Sequence, residues 1–106
     1  TAVHEPFTVA SIDTLGPLPA DQHGNRFIVC LVDCFSRFVE LSAHEDATAL
    51  SAARAILSVF GRYGAVRELR SDLGTQFTAA VVQHLLELTG TTPRYTLAYR
   101  PQANGI

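Results

Sequence analysis

The chain has 106 residues, a size typical of one domain, and its composition is 47% hydrophobic and 17% charged. This balance excludes a disordered or solvated tail and predicts a single packed domain over residues 1–106. No apolar run reaches the roughly 20 residues that cross a bilayer, so we expect no membrane segment. The net charge of −2 has the wrong sign for nucleic-acid binding by bulk electrostatics, so such a role would need local charge or a metal ion.

The absence of methionine and the spacing of the cysteines lead to two further predictions, one about the extent of the chain and one about disulfides. A chain with no methionine, even at its first position, is expected to be a fragment of a longer protein. Cys30 and Cys34 lie in an apolar run, and in a strand their spacing spans about 13 Å, which is too long for a disulfide. We therefore expect two free thiols that act as small core hydrophobes in a reducing compartment.

Three strands are predicted in the first part of the chain. Residues 7–13 are rich in apolar and β-branched side chains, and the following Gly-Pro-Leu-Pro segment cannot continue a ladder. Residues 27–32 are apolar on both faces, as in an interior strand. A short turn separates them from residues 37–41, which we expect to form the antiparallel partner.

The hydrophobic period then changes from two to 3.6 residues. From Asp46 or Thr48, both suitable N-caps, apolar residues recur at helical spacing until two glycines stop the pattern, which predicts a helix of about 15 residues. A strand is predicted at residues 66–71, a second helix at 78–89 and a last short strand at 91–95. This order predicts a mixed sheet with helices packed on its faces.

Two aspartates occur at the ends of predicted strands. Asp13 ends the first strand, and Asp72 follows the fourth, where Gly74 permits a tight turn toward the next helix. Either aspartate alone is explained as a turn or capping residue. If the two strands are neighbours, however, the carboxylates meet at one end of the sheet, and their repulsion favours a hard cation such as Mg²⁺. Two such ions about 3.5–4 Å apart can support phosphodiester displacement.

Four motifs, in order along the whole chain, resemble the catalytic core of retroviral and Ty3/gypsy-type retrotransposon integrases. They are Asp13 with Gly-Pro-Leu-Pro at 16–19, Val-Asp-Cys-Phe-Ser-Arg at 32–37, Ser-Asp-Leu-Gly-Thr-Gln-Phe at 71–77, and Tyr-Arg-Pro-Gln-Ala-Asn-Gly at 99–105. The resemblance implies an α/β, ribonuclease-H-like fold: a mixed five-stranded sheet with helices on both faces, truncated before the C-terminal helix. It also implies a two-metal polynucleotidyl transferase that trims the 3′ ends of element DNA and joins them to target DNA.

The resemblance further implies a metal-binding triad of Asp, Asp and Glu. The first two members correspond to Asp13 and Asp72, which are expected to be catalytic and to bind Mg²⁺ or Mn²⁺. Family spacing places the Glu at position 108, two residues past Ile106, so the fragment alone is expected to be inactive. The implied partners are the element ends and target DNA, with a homo-oligomer joining two ends, and the implied location is the nucleus.

Contacts with DNA are predicted at Gln76 and in the tail, at Arg100, Gln102, Asn104 and Gly105. Gln76 could equally cap the following helix. Arg100 stands where many relatives carry histidine, and an arginine there could contact phosphate. Asn104 and Gly105 fit either a surface turn or the mobile loop that positions DNA in relatives.

Alternatives remain at the level of residue role and of function. Asp33 fits a turn-stabilising role better than a catalytic one. The chain could be another ribonuclease-H-like nuclease or a DDE transposase, although the motifs at 16–19 and 32–37 follow the integrase pattern. It could also be a domesticated integrase-derived domain that binds DNA or protein without catalysis. The residue at position 108 of the parent sequence would discriminate, because Glu there supports the enzyme.

Overall fold

The computed structural model describes residues 8–96, which form one five-stranded sheet and three helical segments. Among these residues no helix has the length and apolar character needed to cross a membrane. The elements are β1 Val9–Leu15, β2 Phe27–Asp33, β3 Val39–His44, α1 Ala49–Tyr63, β4 Glu68–Ser71, α2 Thr75–Thr78, α3 Ala80–Thr89 and β5 Thr92–Tyr95.

The strands lie in the order β3-β2-β1-β4-β5. The first three strands pair antiparallel, whereas β4 runs parallel to β1, and β5 runs parallel to β4. A parallel pair needs a crossover connection, and α1 lies within the connection that brings β4 beside β1. The predicted mixed five-stranded sheet is therefore confirmed, together with the neighbouring positions of its first and fourth strands.

Alternate residues of the strands form one hydrophobic core with the helices. Ile12 and Leu31 face each other across β1 and β2, and both are buried against α1 residues such as Ile56. Phe77 of α2 and the α3 residues Val82 and Leu86 join the same cluster. Helices on both faces are expected from the integrase resemblance, and residues 8–96 supply those of one face. The other face of this part of the sheet exposes the side chains of Leu15, Val39 and Leu41.

Helix α1 has the ends that its sequence predicts. The hydroxyl of Thr48 accepts a hydrogen bond from the backbone N–H of Ser51 at 3.2 Å, so Thr48 is the N-cap and Asp46 is not. Asp46 instead accepts hydrogen bonds from the hydroxyls of Thr48 and Ser51. At the other end Gly64 has a φ of 89°, and its N–H donates to the carbonyl of Phe60. Both ends of the helix therefore have hydrogen-bonded caps.

Several predicted strand bounds are wrong: β1 continues past Asp13 to Leu15, β3 continues to His44, and β4 begins only at Glu68. Two further differences have clear local reasons. Strand β3 begins at Val39 because Arg37 has a φ of 68°, in the left-handed region, and cannot belong to the strand. The helix predicted at residues 78–89 begins instead at Ala80, because Ala79 is extended, with φ −65° and ψ 153°. The one-turn helix α2 precedes it and was not predicted from the sequence. This separate turn begins three residues after Asp72.

Replacing Gly16, which follows β1, is expected to destabilise the fold. Its φ is 135°, and a Cβ would lie 2.7 Å from both the carbonyl oxygen of Arg26 and a ring carbon of Phe27. We expect Gly16→Ala to lower the free energy of unfolding by about 1–3 kcal/mol, measured by urea denaturation. Gly24→Ala is the matched control, because Gly24 has a φ of 83° but no atom within 4 Å of a Cβ. Equal losses in both variants would show that the contact with Arg26 is unimportant.

Candidate metal centre

Asp13 and Asp72 lie at the same edge of the sheet. The backbone pairing of β1 with β4 ends at the pair Ser11 and Arg70. Each aspartate lies two residues beyond its own member of that pair, toward the carboxyl ends of two adjacent parallel strands. The neighbouring strand positions on which the predicted site depends are therefore present, while the backbone ladder itself stops before it reaches either aspartate.

Each of the two carboxylates accepts one backbone N–H from a residue that follows it closely in the chain. Oδ1 of Asp13 accepts the backbone N–H of Thr14 at 2.8 Å, and Oδ1 of Asp72 accepts the backbone N–H of Gly74 at 2.8 Å. Within residues 8–96 no hydrogen bond is recorded for either Oδ2. Asp13 is exposed and Asp72 is half-buried, so a cation from solvent can reach the first and be held partly out of water by the second.

This donor set suits Mg²⁺ or Mn²⁺, because hard divalent cations prefer carboxylate oxygens. One oxygen of each aspartate is oriented by a backbone N–H, and the other is available as a ligand. Residues 8–96 contain no group of three or more His, Cys, Asp or Glu side chains that could hold a metal ion. Asp13 and Asp72 thus provide two ligands, and a complete centre needs oxygen atoms from elsewhere.

Gly74 leaves room for the close approach of the Asp72 carboxylate. A Cβ at residue 74 would lie 2.9 Å from Oδ1 of Asp72 and 3.7 Å from the ring of Phe77. The backbone of Gly74 is ordinary, with φ −58° and ψ 145°. Glycine therefore serves here to leave space for the carboxylate, whereas its sequence position suggested only a permissive turn.

Gln76 contacts the strand that carries Asp13. Its side-chain Nε2 donates to Oγ1 of Thr14 at 3.0 Å in a half-buried position, although the two residues are 62 positions apart. The alternative role of Gln76 as a helix cap is wrong, because neither α2 nor α3 has a side-chain cap. Thr14 was not identified from the sequence, since a threonine near a strand end carries no distinguishing pattern.

Helix α2 is held in place by the core and by α3. The side chain of Phe77 is buried, and its carbonyl accepts a hydrogen bond from Nε2 of Gln83 at 3.2 Å. The same amide of Gln83 donates to the hydroxyl of Tyr95 on β5. These contacts fix the backbone of α2 and therefore the position from which Gln76 reaches Thr14.

Two arginines lie side by side near the aspartates. Arg70 of β4 and Arg94 of β5 are direct cross-strand partners, and both form ion pairs with Glu68, at 2.6 and 3.5 Å. Arg70 holds the pKa of Glu68 below its usual value, with a smaller effect of Arg94. Because Ser11 pairs with Arg70, both arginines lie on the same sheet face as Asp13. Their side chains are 50% and 67% exposed, and the two guanidinium groups share the single carboxylate of Glu68.

Asp33 lies away from this edge and stabilises a turn. It is fully buried and pairs with Ala10, toward the opposite end of β1 from Asp13. Its Oδ2 accepts hydrogen bonds from the backbone N–H of Ser36 at 3.2 Å and from the Ser36 hydroxyl. The turn-stabilising interpretation of Asp33 is therefore supported by its contacts.

The cysteines are free, but they are half-buried and do not belong to the hydrophobic core. Cys30 pairs with Asp13 across β1 and β2. Burial raises the pKa of the Cys30 thiol, and the negative charge of Asp13 raises it further. Cys30 therefore stays protonated near neutral pH and is a poor metal ligand.

Four of the predicted DNA-contacting residues lie outside the described part of the chain. These are Arg100, Gln102, Asn104 and Gly105. The structure therefore provides geometry for Asp13, Asp72 and Gln76 alone among the predicted site residues.

A mixed sheet in this order, with helices on it and two acidic residues at the carboxyl edge, defines a ribonuclease-H-like domain. The family model described as "Integrase core domain" matches residues 3–101. The chain belongs to the integrase core domain family. The fold agrees with that of the catalytic core domain of BIV integrase, with a TM-score of 0.74 and 29% sequence identity; the match covers 93% of this chain and 60% of that one.

Retroviral polyproteins are similar in sequence. The Gag-Pol polyprotein of woolly monkey sarcoma virus is 36% identical over 85 residues, which are 79% of this chain and 5% of the relative. The Pol polyprotein of radiation murine leukemia virus (strain Kaplan) is 32% identical over 103 residues, covering 96% of this chain and 18% of that protein. The chain thus spans a small part of the polyproteins it matches.

Proposed function

We propose that this chain is the core of a retroelement integrase that processes the 3′ ends of element DNA and transfers them into target DNA. The observation that carries the proposal is the pair Asp13, in the last part of β1, and Asp72, just after the parallel strand β4, each with one oxygen oriented by a backbone N–H and one available. Membership of the integrase core domain family supports the same reaction class.

Asp13 and Asp72 would hold Mg²⁺ or Mn²⁺ together with a Glu expected at position 108. When bound, a pair of such ions supplies an activated water or hydroxyl and stabilises the leaving oxygen of the phosphodiester. The chain's own part is to orient the ligands: the N–H groups of Thr14 and Gly74 fix one oxygen of each aspartate. Residues 1–106 alone lack the expected third carboxylate, so we expect them to be inactive.

DNA is the proposed partner despite the net charge of −2. Arg70 and Arg94 provide positive charge on the sheet face that carries Asp13, where exposed guanidinium groups can contact phosphate. The tail residues Arg100, Gln102, Asn104 and Gly105 remain proposed contacts. A homo-oligomer is proposed because two DNA ends must be joined together, and a nuclear location because the target is chromosomal DNA.

The test uses the longer polypeptide that contains this chain, extended through position 108 and its flanking segments. We expect strand transfer of labelled double-stranded DNA ends that requires Mg²⁺ or Mn²⁺ and stops on chelation. Residues 1–106 alone should show no transfer. If the longer polypeptide carries Glu at position 108 and still binds DNA without any metal-dependent transfer, the chain is a DNA-binding or interaction domain without catalysis.

A further inference from the structure

The two candidate metal ligands are not joined by the backbone ladder. Pairing of β1 with β4 ends at Ser11 and Arg70, two residues before Asp13 and Asp72. Two carboxylates that approach each other repel, so the strand ends that carry them tend to separate unless another contact holds them. The separation of the aspartates therefore depends on contacts beyond the ladder.

One side-chain contact spans this gap within residues 8–96. Nε2 of Gln76 donates to Oγ1 of Thr14 at 3.0 Å. Thr14 is the residue whose N–H orients Asp13, and Gln76 lies two residues after Gly74, whose N–H orients Asp72. The Gln76 to Thr14 hydrogen bond thus connects the two backbone segments that aim the two carboxylates.

The contact is anchored at both ends. On one side Thr14 belongs to β1, the central strand, which is paired with β2 through Leu15. On the other side α2 is fixed by the buried ring of Phe77 and by the amide of Gln83 on the Phe77 carbonyl. Because both segments are fixed by other contacts, this half-buried hydrogen bond constrains the distance between the end of β1 and α2.

We propose that Gln76 and Thr14 are positioning residues that set the spacing of Asp13 and Asp72 for a divalent cation. The inference rests on the proposed function, and it assigns Gln76 a role different from the DNA contact that its sequence position suggests. An amide is suited to this task because it brings a donor to the Thr14 hydroxyl without adding charge beside the carboxylates.

The experiment measures Mn²⁺ affinity in the longer polypeptide by the electron paramagnetic resonance signal of free Mn²⁺, with no DNA present. Gln76→Leu and Thr14→Val each remove one side of the hydrogen bond at nearly constant volume. We expect each to weaken Mn²⁺ binding about tenfold, the effect typical of losing a contact that orients ligands. The double variant should be no weaker than either single variant, because both remove the same bond.

Thr14→Ser is the matched control, since it keeps the hydroxyl and should retain the parent affinity within about twofold. Thermal unfolding of every variant without metal separates a general loss of folding from a change at the site. If one of the two single variants fails to fold, the Mn²⁺ affinity of the other single variant is compared with that of the Thr14→Ser control, and this comparison tests the positioning role by itself.

The outcomes are distinguishable. The positioning role alone would be overturned by the following result: the parent binds Mn²⁺ saturably, Asp13→Asn abolishes this binding, and the folded Gln76→Leu and Thr14→Val variants bind Mn²⁺ with the parent affinity. So would additive losses in the double variant. Weakened DNA binding by Gln76→Leu at unchanged Mn²⁺ affinity would assign Gln76 to DNA instead. Absence of Mn²⁺ binding by the parent would overturn the proposed function and, with it, this role.

Discussion

Asp13→Asn and Asp72→Asn are each expected to reduce Mg²⁺-dependent strand transfer by at least about a thousandfold in the longer polypeptide. A metal clamp supplies several kcal/mol of transition-state stabilisation, and each 1.36 kcal/mol corresponds to a factor of about ten in rate. Asparagine keeps an oxygen that can accept the N–H of Thr14 or Gly74, so the local backbone contacts survive. What each variant removes is the negative charge that binds the cation.

Although both variants are expected to lose activity, we do not expect either to lose stability in the absence of metal. Each variant removes one of two like charges at the same edge of the sheet and leaves no new unpaired charge, so the melting temperature of the metal-free protein should stay equal or rise slightly. The added stability that Mg²⁺ or Mn²⁺ gives the parent should disappear. Glu87→Gln, an exposed acid-to-amide change on α3, is the control and should preserve transfer. Retained transfer in either aspartate variant would show that the proposed centre is wrong.

The elements of this fold could largely be predicted because their hydrophobic periods are unambiguous. Helix α1 follows the predicted spacing, and its Thr48 cap and Gly64 end are both visible as residue types. Two of the boundary errors arise where a backbone conformation is unusual for its residue. Arg37 in the left-handed region carries no signal in the sequence, and neither does the extended Ala79 that separates α2 from α3.

In the candidate site, only those residues could be predicted whose side-chain type by itself indicates metal binding. Asp13 and Asp72 could be proposed because an acidic residue near the end of a strand is visible in the sequence, and the strand order then brings both to one edge of the sheet. Thr14 could not be found, since its role depends on a partner 62 positions away. The adjacent positions of Arg70 and Arg94 could not be predicted either. The net charge of −2 describes the whole chain, and it does not show that cross-strand pairing places these two arginines side by side.

Gly74→Ala is expected to weaken Mn²⁺ binding about 10- to 100-fold while leaving the fold intact. A methyl group at residue 74 would lie 2.9 Å from Oδ1 of Asp72, closer than such atoms approach, so the carboxylate must move. The φ of −58° at this residue suits alanine, and hence no backbone strain is added. Affinity is measured by the free Mn²⁺ signal, and folding by thermal unfolding without metal.

Gly61→Ala is the matched control, because it adds the same methyl group within α1 where no atom lies within 4 Å of a Cβ. In a helix interior that change is expected to stabilise the protein by about 0.5–1 kcal/mol without affecting the metal. The pair of variants therefore separates the effect of a methyl group on the chain from its effect on Asp72. If Gly74→Ala bound Mn²⁺ as tightly as Gly61→Ala, Asp72 would not be a ligand whose orientation matters.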